Sequence, residues 1–474
     1  MRIFYIVSMA LCVIYGVYVV NLGDISSPET TYYLSLLCIF VQLASFMVWG
    51  AHTKSYFDIL TLFLLSQALF LAGHQMLYVF GGIEAVGGMV NGLVNLDVAN
   101  MAIFMILISL VTFGLGMVLA MHSASGKADP ANVDFGRVER EAKALVHVGY
   151  ILLAISIVPF INSLSWYSSV VGDGGYAAIY EPGNIQSTTV RISFILMELI
   201  VPAAIFLIAS GRRKPAYVGA LITLMYAGLN FYVGTRGHAI MPILAVAWTW
   251  HRRVSPIPKV WAATSGLIVL FVVFPIIAAT RESNSADRYS VESLLTAFNS
   301  INNPAIQILD EMGRSGIRIV SWVYQIVPEA RPFDLGKSYA IALSILVPHL
   351  GGGENLADAS KLSLWITTMI RPEWAVTGGG FGFSYVGEAY LNFSWVGVVI
   401  VSAILGYALA RGAIKVKNNH FPIAFAYWAC ICAIITFYPR SELQQIIRNI
   451  VWYGVGPLVM VKMYYRFVLK TKKT

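Results

Sequence analysis

Residues 100–121 read NMAIFMILISLVTFGLGMVLAM, a run without a charged side chain. A hydrocarbon core of about 30 Å takes about 20 apolar residues of helix, so this run is long enough to cross a membrane. The 474-residue chain shares that character, with 58% hydrophobic and 12% charged residues. A soluble domain carries about 25% charge. The composition therefore excludes a soluble enzyme and predicts a protein that uses lipid as its solvent.

Twelve runs of this kind predict an all-α polytopic membrane protein with about 12 transmembrane helices. The first run lacks a small-residue cleavage site, so we expect it to be retained as a helix. The eighth run is short. The expected bounds are Ile3–Val20, Thr31–Ala51, Phe57–Phe80, Asn100–Met121, Leu145–Leu164, Arg191–Ala209, Tyr217–Val233, His238–Trp250, Val260–Ala279, Ser384–Ala410, Pro422–Phe437 and Ile446–Phe467.

The basic residues predict the orientation, because cytoplasmic loops of membrane proteins carry an excess of Lys and Arg. With both termini inside, the inner segments hold 20 of the 32 Lys and Arg. The net charge of +8 then reflects orientation and gives no indication of nucleic-acid binding. The chain divides into helices 1–9 over 1–279, a large outer loop over 280–380, and helices 10–12 with a cytoplasmic tail over 381–474. Amphipathic stretches in that loop predict short helices.

The two sides differ in the type of basic residue. The inner side has nine Arg and eleven Lys, and the outer side has ten Arg and two Lys. Arginine binds phosphate in a bidentate manner, whereas lysine is the generic surface cation. We therefore expect an outer cluster of arginines that binds the pyrophosphate of a substrate, although headgroup contact or ion pairing would explain any single one. The candidates are Arg236 in the turn Gly234-Thr235-Arg236-Gly237-His238, Arg191, Arg281, Arg440 and Arg448.

A glycine-rich segment, GGGFGFSYVGE over 378–388, leads into the tenth predicted helix. Glu388 follows by about one turn, and an ionisable group at that depth is a functional candidate by default. It could act as a general base or form a structural ion pair. His349 in the outer loop is a second candidate for proton transfer.

Aromatic side chains on the outer side belong either to an interfacial belt or to a sugar-binding surface. Trp374, next to Arg371, and Tyr385 are the candidates for sugar contact. The four cysteines form neither a disulfide framework nor a zinc spacing, and no motif for a metal or a nucleotide is present. We therefore expect no metal and no cofactor.

The long outer loop, the GTRG turn and the segment GFSYVGEAYLNFSWVG over 382–397 resemble the Wzy-type O-antigen polymerases, also called oligosaccharide repeat-unit polymerases. The resemblance covers the whole chain in architecture and about 40 residues in motif. Two positions depart from related patterns. Ser394 stands where many relatives have Gly, and Phe383-Ser384 stands where O-antigen ligases have a His-Asn pair.

The resemblance implies a GT-C-like, metal-independent glycosyltransferase of the bacterial inner membrane. It implies that undecaprenyl-pyrophosphate-linked repeat units, as donor and acceptor, are joined on the periplasmic face, and that a chain-length regulator is a possible protein partner. Two alternatives stay open: a transporter or flippase of lipid-linked glycans, and an O-antigen ligase. A transporter is disfavoured because its halves usually repeat around a midplane site. An envelope scaffold would not need arginines that glycines bring close to a ligand.

Overall fold

The architecture is given by a computed structural model in which every regular element is a helix. Among the residues described, no strand occurs. This confirms the all-α prediction. The structure describes residues 2–85, 94–123, 134–174, 178–179, 187–281, 290–300, 303–346, 360–376 and 378–469.

The α-helices are numbered in chain order. They are α1 Arg2–Leu22, α2 Pro28–Thr53, α3 Ile59–Phe70, α4 Gly73–Ala85, α5 Leu96–Ser123, α6 Phe135–Gly174, α7 Thr188–Met197, α8 Ile200–Ala209, α9 Arg213–Val233, α10 Arg236–Arg253, α11 Lys259–Ile268, α12 Phe274–Arg281, α13 Val291–Ser300, α14 Pro304–Ile326, α15 Lys337–Ser344, α16 Leu362–Ile370, α17 Pro372–Val376, α18 Tyr385–Lys417, α19 Pro422–Ile435, α20 Leu443–Asn449 and α21 Gly456–Tyr464. Short π-helical turns over Val269–Val273 and Ile450–Val455 join α11 to α12 and α20 to α21.

The count of twelve spans is not confirmed. In the described part of the chain nine helices are long and apolar enough to cross a membrane, or ten if the pair α3 and α4, bent by 57°, is one broken span. The eighth predicted span is α10, and its 18 residues include Arg236, Arg252 and Arg253. The twelfth is divided between α20 and α21 by a π-helical turn. The arginines of α10 and the π-helical turn between α20 and α21 therefore explain why the eighth and twelfth predicted spans are not among these helices.

The chain packs as two compact units. Unit 1 comprises Met1–Lys127, Ala305–Lys417 and Thr436–Arg448. Its centre is the contact between α5 and α18, where a side chain at Gly116 would collide with the carbonyl of Ala403. Small residues let helix backbones approach closely, which is the usual basis of helix association in lipid.

A polar network crosses the core of unit 1. The amide of Gln67 on α3 donates to the hydroxyl of Tyr385 at 2.8 Å, and Ser109 on α5 bonds to the same hydroxyl at 3.0 Å. Ser109 also bonds to Ser402 at 2.8 Å. Buried polar groups need such partners, so this network fixes how α3, α5 and α18 meet.

Unit 2 comprises Ala128–Pro304, Asn418–Ile435 and Asn449–Thr474. Its centre is α8, which is buried along its whole length and contacts α6, α9, α10 and α19. Glu141 on α6 is 3% exposed; it pairs with Arg137 at 2.8 Å and accepts from the amide of Ile423 at 3.2 Å. That carboxylate therefore fixes the start of α19 against α6.

One residue of α18 has a backbone conformation that side chains rarely adopt. The helix is kinked at Phe393 and Ser394, and Ser394 has φ 55° and ψ −149°. This region is close to one that only glycine occupies without strain. A glycine at this position would therefore suit the kink better than the serine does.

We predict that Ser394→Gly stabilises the protein by about 1 kcal/mol, because it removes backbone strain at the kink. Thermal unfolding in nanodiscs checks this. The control is Ser165→Gly in the ordinary helical backbone of α6, which should lower the melting temperature slightly. Equal or lower stability of Ser394→Gly would contradict the strain argument.

Candidate functional site

In unit 1, the backbone of α14 packs directly against the backbone at the break between α3 and α4. A side chain at Gly313 would collide with the backbone nitrogen of His74, and one at Gly316 with the carbonyl of Phe70. The Cβ of a residue at Gly73 would lie 3.0 Å from the Cα of Gly313. These glycines let α14 place its charged side chains next to the break.

The closest polar contact at the break joins His74 and Asp310. The Nε2 atom of His74 lies 2.9 Å from Oδ1 of Asp310. Arg314, one turn further along α14, donates from Nε to the same oxygen at 3.1 Å and pairs through Nη2 with Oδ2. The His74 side chain is fully buried, whereas that of Asp310 is 22% exposed. The carboxylate is thus held on two sides and still reaches the surface of the unit.

The guanidinium of Arg318 lies near the charges of both Arg314 and Arg371 in unit 1. Burial, together with these two charges, lowers the pKa of Arg318 to about 10. Burial also lowers the pKa of Arg314. The like charges around Arg318 disfavour its charged form, and a bound anion would offset that repulsion. Asp310 supplies one counter-charge to this group of Arg314, Arg318 and Arg371, which we call the α14 arginine cluster.

Arg440 approaches the same break from another element. Its guanidinium lies 5.7 Å from the centre of the Phe70 ring, and the carbonyl of Phe70 faces Gly316. Arg331, by contrast, forms a bidentate pair with Asp334, at 2.8 and 3.0 Å. That pair gives Arg331 a local structural partner.

Aromatic rings surround the start of the glycine-rich segment. The Phe381 ring lies 4.6 Å from Trp374 and 4.7 Å from Trp322 between ring centres. Trp374 follows Arg371 by three residues, donates its backbone N–H to the carbonyl of Arg371 at 3.1 Å and is 37% exposed. An exposed ring next to a cationic side chain suits a sugar phosphate, since sugars stack on aromatic faces while guanidinium binds phosphate.

Glu388 lies inside unit 1, 1% exposed. Its Oε1 accepts from the hydroxyl of Ser338 at 3.2 Å, and its Oε2 accepts from the amide of Leu443 at 2.7 Å. Among the described residues no Lys or Arg pairs with it. A structural ion pair is therefore not the role that these contacts give to Glu388. Instead, its carboxylate joins α18 to α15 and to the start of α20 through hydrogen bonds. Its role as a general base stays a prediction.

Glu442, which directly precedes Leu443, connects helices through hydrogen bonds in a similar way. Its carboxylate accepts from the amide of Leu362 at 2.6 Å and from the hydroxyl of Ser363 at 2.8 Å, at the start of α16. Burial raises the pKa of Glu442, and the bonds from Ser363 and Leu362 oppose that rise. Glu388 and Glu442 together connect α15 and α16 to α18 and to the start of α20.

The remaining predicted site residues are distributed over both units. In unit 2, Arg236, predicted in the turn just before this helix, is the first residue of α10 and donates to the carbonyl of Phe274 at 3.4 Å, while Arg191 is exposed on α7. In unit 1, Arg448 is half-buried near the end of α20. One cluster of all the predicted arginines therefore stays a prediction.

Three further predicted residues have different outcomes. Tyr385 is fully buried and its hydroxyl belongs to the core network, so its contact with a sugar stays a prediction. His349 lies outside the described residues, and so does the side chain of Arg281, which ends α12. In the part of the chain that the structure covers, no three His, Cys, Asp or Glu side chains form a metal-ligand group.

A family model for the O-antigen polysaccharide polymerase Wzy matches residues 1–472, almost the full chain. The chain belongs to the Wzy O-antigen polymerase family. No curated protein and no solved structure matched it significantly. Membership confirms the resemblance and supports a multi-pass inner-membrane enzyme of the glycosyltransferase type that polymerises repeat units into O-antigen. It favours polymerisation over the transporter and ligase alternatives.

Sequence reasoning about this Wzy-family polymerase missed the residues on α14. Asp310, Arg314 and Arg318 are spaced four apart, which places them along one side of a helix. That spacing was readable from the sequence. Their partner His74 was not, because it lies 236 positions away in the chain.

We predict that Glu442→Ala destabilises this Wzy-family protein by about 1–3 kcal/mol, because the buried amide of Leu362 loses its acceptor. Thermal unfolding of the purified protein measures the change. The matched control is Glu373→Ala at an exposed glutamate of α17, which should change the stability by less than about 0.5 kcal/mol. Equal effects of the two substitutions would contradict the role given to Glu442.

Proposed function

We propose that this polymerase transfers a growing glycan from undecaprenyl pyrophosphate to the terminal sugar hydroxyl of another lipid-linked repeat unit. The reaction takes place on the periplasmic face and needs no metal. The observation that carries the proposal is the α14 arginine cluster, whose Arg371 is linked through its backbone carbonyl to Trp374, together with the adjoining rings of Trp374, Phe381 and Trp322. Such a site combines phosphate-binding and sugar-stacking groups.

The chemistry is a displacement at the anomeric carbon of the donor. The acceptor oxygen forms a bond to that carbon, the bond from the carbon to the pyrophosphate oxygen breaks, and a base takes the acceptor proton. Charge develops on the leaving pyrophosphate, and prearranged cationic groups stabilise it best in a site of low dielectric. Arg318, Arg371 and Arg440 supply that charge in unit 1. A direct displacement inverts the configuration of the anomeric carbon.

The predicted arginines of unit 2, Arg236 and Arg191 with Arg281, stay candidates for binding a lipid pyrophosphate. The Gly234-Thr235-Arg236-Gly237 turn supports this, because Gly234 has φ 98° and lets the chain turn tightly into α10. The aromatic candidates Trp374 and Tyr385 bind sugar, and Glu388, His349 or another carboxylate accepts the proton.

The test is polymerisation by the purified protein in nanodiscs with undecaprenyl-pyrophosphate-linked repeat units of its own host. The expected result is a ladder of polymers on a gel together with release of undecaprenyl pyrophosphate, unchanged by EDTA. Absence of both products would contradict the proposed reaction. Loss of activity on chelation would contradict its independence from metal.

We predict that Arg318→Ala and Arg371→Ala each lower the polymerisation rate roughly tenfold to a hundredfold, the equivalent of about 1.5–3 kcal/mol for a hydrogen bond to a charged group. Lys should not restore the rate fully, because it binds phosphate as a point charge. Rates are compared per amount of folded protein. The control is Arg213→Ala, an exposed arginine at the start of α9. Wild-type rates in both Ala variants would exclude them from the site.

The orientation has its own prediction. A cysteine at exposed Glu329, between α14 and α15, should react with an impermeant thiol reagent in intact spheroplasts. A cysteine at exposed Ser255, between α10 and α11, should react only after permeabilisation. The four native cysteines are buried, so they should not react with the thiol reagent. The reverse labelling pattern would put the α14 side of the protein in the cytoplasm.

A further inference from the structure

The proposed reaction needs a base, and α14 carries a carboxylate that no sequence motif indicated. Asp310 combines partial exposure with a fixed geometry. Its side chain is 22% exposed, and Arg314 and the fully buried His74 both contact it. Glu388, the candidate named from the sequence, is 1% exposed, and both of its oxygens hold hydrogen bonds between helices.

The hydrogen bonds of Asp310 leave room for a substrate. Oδ1 accepts from His74 and from Nε of Arg314, whereas Oδ2 faces Nη2 of Arg314. A carboxylate oxygen has two lone pairs, so Oδ2 can accept one more hydrogen bond.

The side chain of His74 holds the carboxylate of Asp310 in place. An ionised carboxylate only accepts, so Nε2 of His74 carries the hydrogen of their contact. The other ring nitrogen, Nδ1, is buried and has no hydrogen-bond partner among the described residues. A neutral ring with its proton on Nε2 is the state that fits both atoms, because a buried N–H without a partner is the costlier arrangement.

The spacing along α14 places this carboxylate at a suitable distance from the pyrophosphate. Asp310 and Arg318 are eight residues apart, which corresponds to about 12 Å along a helix. A sugar ring fits between them. Arg318 and Arg371 can then hold the leaving pyrophosphate while a group at Asp310 acts on the opposite side of the sugar, as a direct displacement requires.

We propose that Asp310 is the catalytic base that takes the proton of the acceptor hydroxyl, and that His74 is a positioning residue that holds its carboxylate; this inference rests on the proposed function. The acceptor O–H bond breaks and its proton moves to Asp310. The acceptor oxygen bonds to the anomeric carbon, and the electron pair of the broken carbon–oxygen bond leaves with the lipid pyrophosphate. Water later removes the proton from Asp310.

The first test compares Asp310→Asn with Glu388→Gln and with a control, Glu311→Gln, which neutralises the neighbouring carboxylate on α14. Release of undecaprenyl pyrophosphate in nanodiscs is measured per amount of folded protein. Asp310→Asn should lose a factor on the order of 10²–10⁴, the usual contribution of a positioned base. The control Glu311→Gln should stay close to wild type, and Asp310→Asn should lose more activity than Glu388→Gln. Full activity of Asp310→Asn with loss in Glu388→Gln would overturn the proposal and assign the base to Glu388.

The second test separates a base from a structural carboxylate. Azide is an anionic nucleophile that needs no deprotonation. With Asp310→Ala, added azide should attack the anomeric carbon, and mass spectrometry should find a glycosyl azide together with released lipid pyrophosphate. If Asp310 served only to hold Arg314, azide would fail to restore release, and the proposal would be overturned.

The third test addresses His74. His74→Leu removes the donor to Asp310, whereas the side-chain amide of His74→Gln can still donate. We expect a lower kcat for the Leu variant, partial recovery in the Gln variant, and an unchanged KM for the donor. Equal kcat of both variants and wild type would overturn the positioning role. A wild-type protein that releases no lipid pyrophosphate would overturn the proposed function first and this inference with it.

Discussion

The backbone contact between α14 and the break of α3 and α4 is the constraint on which the rest of unit 1 depends. Gly313 and Gly316 allow it, because any side chain there would meet the backbone of His74 or Phe70. The contact brings Asp310 of α14 to His74 of α4. Without it these two side chains would lie apart on separate elements.

Charges at such a depth need partners, and the structure meets this need in two ways. Glu388 and Glu442 use backbone amides and serine hydroxyls, so they act as joints between helices. Asp310 uses a histidine and an arginine and keeps part of its surface exposed. Glu388 and Glu442 are buried and hold helices together, whereas Asp310 is partly exposed and within reach of a substrate.

Much of the fold was readable from the sequence, because apolar runs and helix length follow from the thickness of a bilayer. Helices within the segment over 280–380 were predicted and are present, and α10 begins at Arg236, two residues before its predicted start at His238. The count of twelve spans is not confirmed in the described part of the chain, since three arginines lie in α10 and a π-helical turn precedes α21. The kink at Ser394 was not foreseen, although the departure from Gly was visible at that position.

The site was less predictable, for a physical reason. Sorting the basic residues by type indicated an arginine-rich outer side but could not say which arginines meet. The cluster on α14 depends on contacts between residues more than 200 positions apart, which no local pattern encodes. Glu388 was singled out by its depth, but depth alone does not distinguish a joint between helices from a reactive group.

The central claim is that the lipid pyrophosphate binds to the arginines of α14 and their neighbours. A cryo-EM structure of the protein in nanodiscs with undecaprenyl pyrophosphate tests it directly. The account predicts phosphate oxygens within hydrogen-bonding distance of Arg318 and Arg371, with the lipid chain leading away from Asp310. Phosphates bound only at Arg236 and Arg191, with nothing at α14, would contradict it.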